Sequence, residues 1–133
     1  AACWLGIDPK AGRLLALERG TGTVVWNSLA HSGPPRSKRH PKASPCNSTP
    51  ATDGRRIVAL FGSEGLFCFN TDGTLDTTFG TNGVSFANAV PGTGLAKVDD
   101  ILLDPDCHIL AAGTYYTGDP GGRQQFTFAV ARY

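Results

Sequence analysis

An internal repeat constrains the fold of this chain more than any other feature of its sequence. Three segments share one pattern: an Asp-containing turn, a basic or imidazole side chain, two bulky aliphatic residues, an Ala and then a Gly. They read DPKAGRLLALERG at residues 8–20, ATDGRRIVALFG at 51–62 and DPDCHILAAG at 104–113. The aligned alanines, Ala16, Ala59 and Ala111, stand 43 and 52 residues apart. A period of about 40 to 50 residues is typical of one β-propeller blade.

A second apolar segment follows each copy of the repeat. These segments read TVVWNSL at residues 23–29, GLFCFN at 65–70 and FTFAVARY at 126–133. Several of them alternate with a period of two, which predicts strands with one face more buried than the other. Asp-Gly pairs at 53–54 and 72–73 and Asn-Gly at 82–83 predict tight turns. In residues 95–104 a short helix competes with a strand, and the Ile-Leu-Leu run before Asp-Pro favours the strand.

The composition agrees with an all-β domain. The chain has 133 residues, of which 41% are hydrophobic and 17% are charged, with a formal net charge of +1. This balance excludes disorder by self-repulsion and a whole-molecule attraction to polyanions. The 17 Gly and 9 Pro residues separate short apolar runs, as expected for strands joined by turns. No apolar stretch approaches the roughly 20 residues of a membrane-spanning helix, so we expect no membrane insertion.

We interpret the chain as a single domain with three units and one insertion. The approximate units are residues 1–29, 46–73 and 74–133, and residues 30–45 form a basic, Pro-rich loop. The start Ala-Ala-Cys and the absence of Met indicate a processed mature end or an excised fragment.

The four cysteines have no CxxC spacing, which argues against a zinc ribbon. They are compatible with one or two disulfides in an exported protein, periplasmic or extracellular, with the pairing left open. Alternatively, Cys68 and Cys107 are small buried apolar residues. The remaining two are Cys3 and Cys46.

Two family resemblances support a propeller-type fold. Residues 7–26, IDPKAGRLLALERGTGTVVW, and residues 48–73 resemble the quinoprotein-type (PQQ-like) β-propeller repeat. The segment GTLDTTFGTNGV at 73–84 and the third copy with its following strand resemble the bacterial delta-60 repeat. Both resemblances imply propeller blades. A quinoprotein enzyme would also need acidic, Asn and Arg residues around a ring axis, and no such set can be assigned here.

The number of units leaves the assembly open. A closed propeller typically has four to eight blades, and this chain supplies about three. Unpaired strands at a blade edge are an aggregation hazard unless they are covered. Three arrangements meet this requirement: a fragment of a longer ring, a homo-oligomer that completes a ring, or a small curled sheet or sandwich.

The insertion carries the strongest local charge. The sequence HSGPPRSKRHPK at residues 31–42 contains four cations, Arg36, Lys38, Arg39 and Lys42. Such a cluster predicts salt-dependent contact with a polyanion. The alternative is a solvated insertion between strands, which is common for loops of this length.

Three further groups of residues are candidate sites. The carboxylates of Asp99, Asp100, Asp104 and Asp106 suit a hard cation such as Ca²⁺, although Asp104-Pro105 also reads as a turn. The histidines His31, His40 and His108 lack ligand spacing, so we predict no metal. Ser28 with His31, or Ser32 with Asp53, would form part of a triad, but no GxSxG elbow is present.

The sequence therefore predicts an all-β, propeller-type repeat acting as a non-catalytic binding or scaffolding module of an exported bacterial protein. We predict no cofactor, with Ca²⁺ and a quinone unsupported. The expected partners are further copies of the chain, a protein or a polyanion. Two alternatives remain: a fragment or relative of a quinoprotein-type enzyme, and a structural repeat of a large bacterial surface protein.

Overall fold

The computed structural model describes residues 3–8, 12–34, 49–86, 96–104, 106, 108–118 and 124–132. The described strands form three antiparallel sheets, each a meander of strands that follow one another in the chain. Sheet A contains β1 (Cys3–Asp8), β2 (Arg13–Glu18) and β3 (Val24–Leu29). Sheet B contains β4 (Ala51–Thr52), β5 (Arg56–Leu60), β6 (Leu66–Asn70) and β7 (Val84–Ser85). Sheet C contains β8 (Ala96–Leu103), β9 (Ile109–Gly118) and β10 (Gln124–Arg132).

The all-β prediction is confirmed, including the strand in place of a helix at Ala96–Leu103. A single turn of 3₁₀ helix, Gly62–Glu64, joins β5 to β6. In the described part of the chain, no helix is long and apolar enough to cross a membrane.

Short polar turns set the strand boundaries. The Asp53 carboxylate accepts hydrogen bonds from the backbone N–H groups of Arg55 (2.8 Å) and Arg56 (2.7 Å), which starts β5. The predicted Asn-Gly turn is confirmed, since Asn82 has φ 53° and Gly83 has φ 88°. Positive φ at both positions is what a tight hairpin turn of this type requires.

The three copies of the repeat occupy equivalent positions. Ala16, Ala59 and Ala111 lie on β2, β5 and β9, the second strand of each meander, and each is at most 3% exposed. For each sheet, we call the face that carries this alanine the front and the opposite face the back. The repeated pattern thus marks the buried front of every sheet.

Sheet B is the central layer, covered on both faces. Its front, with Ile57, Ala59 and Phe69, packs against Leu14 on the front of sheet A. Its back, with Val58, Leu60, Leu66 and Cys68, packs against Ile101, Ile109 and Ala111 on the front of sheet C. These two clusters form the core of the described molecule.

The two interfaces differ in orientation. Sheet C turns its front to the back of sheet B, whereas sheets A and B turn their fronts to each other. In a ring generated by rotation, the front of each blade contacts the back of the next. The three sheets are therefore not related by one repeated rotation.

The segment that resembles the delta-60 turn belongs to sheet B. Strand β7 pairs with β6, and the Thr74 carbonyl accepts a hydrogen bond from the Asn70 N–H (2.8 Å). Residues 74–86, assigned by the repeat pattern to the third unit, thus complete the second sheet.

Candidate functional site

The four cations of the insertion, Arg36, Lys38, Arg39 and Lys42, lie outside the described residues, as do His40, Cys46 and Cys107. The start of the insertion is described. The Gly12 carbonyl accepts hydrogen bonds from the N–H groups of Ala30 (2.9 Å) and His31 (3.2 Å). This contact fixes the insertion to the turn between β1 and β2 at the point where it leaves sheet A.

His31 links sheet A to the 3₁₀ turn of sheet B. Its Nε2 lies 3.6 Å from Oε2 of Glu64, whose side chain is 7% exposed. In the sequence, no elbow motif supports a triad of Ser28 with His31, and the structure gives Ser28 another role. The Ser28 hydroxyl instead donates a hydrogen bond to the Gly73 carbonyl, so this serine joins two sheets and is not oriented as a nucleophile.

The predicted acidic cluster is divided between a strand and a turn, since Asp99 and Asp100 lie within β8 and Asp104 caps the turn that follows. Asp104 Oδ1 accepts hydrogen bonds from the N–H groups of Asp106 and His108, both at 2.9 Å. Asp100 Oδ1 accepts one from the N–H of Ile101 (2.9 Å). The backbone N–H of His108 is the main cause of the lowered pKa of Asp104. This carboxylate therefore functions as a turn cap, as expected for an Asp-Pro turn.

One histidine that lacked ligand spacing in the sequence lies beside this turn. Potential ligand atoms of Asp104, Asp106 and His108 fall within 4.8 Å of one another. However, Nη2 of Arg132 lies 2.7 Å from His108 Nδ1 and 3.5 Å from Asp104 Oδ2. A permanent guanidinium charge inside the cluster opposes a divalent cation, so these residues do not fit a metal well.

A second buried carboxylate, Asp76, belongs to the connection between β6 and β7. Its Oδ1 accepts hydrogen bonds from the Thr78 N–H (3.0 Å) and hydroxyl (2.5 Å), and Arg56 Nε lies 3.1 Å from Oδ2. The Thr78 hydroxyl, together with Arg56, lowers the pKa of Asp76. Because it is ionised and fully engaged, this carboxylate stabilises sheet B.

Cys68 lies close to this carboxylate, in the core between sheets B and C. Burial, and then the charge of Asp76, raise the pKa of the Cys68 thiol to about 11. The thiolate is the reactive form of cysteine, so this thiol is inert at neutral pH. The interpretation of Cys68 as a small buried apolar residue is confirmed, since it is 1% exposed.

The back of sheet A presents a different surface, because no other described sheet covers it. We call this surface the outer face of sheet A. Its exposed members are Trp4 (63%), Val24 (50%), Val25 (56%) and Leu29 (50%). The half-buried side chains of Leu15 and Leu17 lie between them on β2.

A β-bulge enlarges this apolar surface. Ala16 pairs with Trp26 and Leu17 with Val24, which leaves Val25 as an extra residue on β3. In a bulge, two residues of one strand oppose one residue of its partner. Two exposed valines therefore stand opposite Leu17, where regular pairing would place one.

Polar groups border the outer face of sheet A. Nη1 of Arg13 lies 3.2 Å from Oδ1 of Asn27 near one end of the strands. At the other end, the Thr21 hydroxyl bonds to the Glu18 carboxylate and to the Thr23 hydroxyl. An apolar centre within a polar rim is the anatomy of a protein–protein interface.

The two tryptophans of the chain have distinct environments. Trp26 packs between sheets A and B, where its Nε1 donates a hydrogen bond to the Thr71 carbonyl (3.1 Å). Trp4, on the edge strand β1, points to the exposed back. The exposed apolar face itself was missed, although two adjacent valines in β3 were its signal.

Comparisons of the chain with protein-family models, with curated proteins and with solved structures found no match. The functional interpretation therefore rests on the geometry of the described residues.

Proposed function

We propose that this chain is a non-catalytic binding or scaffolding module that associates through the faces of its sheets. The outer face of sheet A carries this proposal. Four large apolar side chains on it are at least half exposed. Contiguous apolar patches of several hundred square ångströms are uncommon on soluble monomers and mark interaction sites.

The aligned residues of sheet B indicate the role of this face. Alignment on Ala16 and Ala59 makes Leu15 and Leu17 the equivalents of Val58 and Leu60. On sheet B those equivalents are 1% and 7% exposed, because the front of sheet C covers them. The back of sheet B is thus a surface that packs on another sheet, and the equivalent surface of sheet A is uncovered by the described residues.

The chemistry of the described polar groups supports a binding role over a catalytic one. Asp53, Asp72, Asp76 and Asp104 each accept hydrogen bonds from backbone N–H groups of their own turns. Cys68, with its raised pKa, is not a nucleophile at neutral pH. These groups stabilise turns and the core.

For the architecture we propose blade-like sheets in a linear stack. The front-to-back contact of sheets B and C is the relation of neighbouring blades. Because sheets A and B meet front to front, a linear stack is favoured over a ring closed by rotation. Association at the outer faces would extend such a stack.

Binding of a hydrophobic fluorescent dye, anilinonaphthalene sulfonate, tests the docking face. We expect the folded chain to enhance dye fluorescence at high dilution, and Val25→Thr to reduce the enhancement. Val130→Thr, at an exposed valine of sheet C (64%), is the matched control and should have a smaller effect. Equal effects of the two variants would contradict the proposal.

The quinoprotein-type alternative needs its own test. The chain is incubated with Ca²⁺ and pyrroloquinoline quinone, desalted, and then measured by absorption spectroscopy and metal analysis. We expect no quinone to be retained. Retention of one quinone per chain would overturn the non-catalytic function in favour of an enzyme.

A further inference from the structure

We infer that the outer face of sheet A binds the same face of a second copy of this chain, forming a two-fold symmetric dimer. This inference rests on the proposed function, because it names the partner of the same docking face. The arrangement places the two sheets A back to back, so that sheets B and C of each copy lie outward in a stack of six layers.

The size of the face is sufficient for this partner. Sheet A has three strands of six residues each, which corresponds to about 14 Å by 20 Å. Such a face with its protruding side chains exposes on the order of 500 Å² of accessible surface. Two copies would together bury about 1,000 Å², the lower limit for a specific interface.

The distribution of charge favours a second sheet A over the outer face of sheet C. The back of sheet C carries Asp100 and Arg132, both exposed, beside its apolar residues Leu102 and Val130. Burying a charge without a partner is costly. On the outer face of sheet A, the charged residues Asp8 and Arg13 lie opposite each other at one end of β1 and β2. Its centre carries no charge and consists of Trp4, Leu15, Leu17, Val24 and Val25.

The symmetry of the contact has a consequence for solubility. When each copy uses the same patch, the contact closes after two copies, whereas binding of sheet A to sheet C of the next copy would continue into a filament. A two-fold dimer covers the most apolar face of the described molecule and leaves the charged outer faces of sheet C in water.

The front of a sheet is not available as the second partner. The fronts of sheets A, B and C are occupied by packing within one chain, as Leu14, Ala59 and Ala111 show by their burial. Of the two outer faces that remain in the described stack, the back of sheet A is the one with an uncharged centre. This is why the inference commits to a second copy.

Sedimentation velocity over a wide range of chain concentrations tests the dimer. We expect the chain to pass from monomer to dimer as its concentration rises. Val25→Arg places a charge in the centre of the interface and should weaken association at least 100-fold. Val130→Arg, at the exposed valine of sheet C, should leave association unchanged.

Folding of the variants is checked by circular dichroism. Both valines are more than half exposed, so neither arginine has to be buried in the monomer. Leu29→Arg, at a second position of the outer face of sheet A, should also weaken association, and it replaces Val25→Arg if that variant does not fold.

Two results would overturn the inference. One is a chain that stays monomeric at every concentration; the other is an equal loss of association in Val25→Arg and Val130→Arg. If the chain stays monomeric but Val25→Thr still reduces dye fluorescence, the dimer is refuted and the proposed docking module is not. Retention of a quinone overturns the proposed function, whatever the state of association.

Discussion

Sheets A and B are built from the same repeat, yet they have different surroundings. Sheet B is covered on both faces, by sheet A on its front and by sheet C on its back. Sheet A is covered on its front, and its back exposes large apolar side chains. The comparison teaches that sheets A and B each have two apolar faces, so that sheet A, at one end of the described stack, keeps one face for another partner.

The largest expected effect comes from comparing the same substitution, Leu to Ala, on the two faces of sheet A. Leu14 on the front is fully buried, and Leu29 on the back is 50% exposed. We expect Leu14→Ala to lower the free energy of unfolding by about 2–5 kcal/mol, because it leaves a cavity between sheets A and B. Leu29→Ala should cost the monomer less than about 1 kcal/mol. Urea denaturation of dilute chain measures both, and equal losses would refute the difference between the faces.

A smaller effect is expected at the contact between sheets A and B. Gly73 has φ 88°, and a Cβ at this position would lie 2.7 Å from Cδ2 of Trp26. Gly54 has a similar φ of 85° with nothing within 4 Å of such a Cβ. Gly54→Ala should therefore cost about 1 kcal/mol for the left-handed backbone, and Gly73→Ala about 1–3 kcal/mol more for the contact. Thermal unfolding compares them, and identical costs would argue against the front-to-front packing.

A third effect depends on pH and concerns sheet B. The pKa of Asp76 is lowered from its ordinary value of 3.8, mainly by the Thr78 hydroxyl. The stability that this ionised carboxylate contributes is present above about pH 4, and it is lost as the pH falls through the lowered pKa. Thr78→Val should cost about 1 kcal/mol at pH 7 and flatten the loss of stability in acid.

The matched control for Thr78→Val is Thr77→Val, one residue earlier in the same turn and also exposed. We expect Thr77→Val to retain the acid dependence of the original chain. Urea denaturation between pH 2 and pH 7 separates the two variants. If the loss of stability in acid is unchanged in Thr78→Val, the lowered pKa of Asp76 does not depend on this hydroxyl.

The smallest effect on stability is expected in the insertion between sheets A and B. Replacing Arg36, Lys38 and Arg39 by Ala should leave the free energy of unfolding unchanged and lower the salt concentration at which the chain elutes from heparin. A double variant, Arg19→Ala with Arg55→Ala, removes exposed cations elsewhere and should elute as the original chain does. If the original chain and the triple variant elute at the same salt concentration, the insertion has no polyanion site.

The repeat predicted much of the local structure, because its periodicity records which side chains are buried. The alignment on Ala16, Ala59 and Ala111 placed the second strand of each sheet, and the Asn-Gly pair placed a turn. The composition of β5 also carried information about its surroundings. After Arg56, the residues Ile-Val-Ala-Leu at 57–60 form a continuous apolar run, which is typical of a strand buried on both faces.

The stacking of the sheets and the position of the site could not be predicted in the same way. Which face of one sheet meets which face of the next depends on contacts distant in sequence, such as the hydrogen bond from Trp26 to Thr71. The period of two in β3 is interrupted by the bulge at Val24 and Val25. Single-strand patterns therefore indicated strands correctly but did not reveal that this segment leaves an apolar face exposed.

Quenching of tryptophan fluorescence by iodide tests the central claim most directly. The chain has two tryptophans, Trp4 on the outer face of sheet A and Trp26 between sheets A and B. We predict that Trp4, measured in a Trp26→Phe variant, is quenched in dilute solution and protected as concentration rises. Trp26 is partly buried, so in Trp4→Phe it should be quenched less than Trp4 in dilute solution, and to the same extent at every concentration. A Trp4 that is protected in dilute solution, or accessible at all concentrations, would contradict an outer face that is open in the monomer and covered by a second copy.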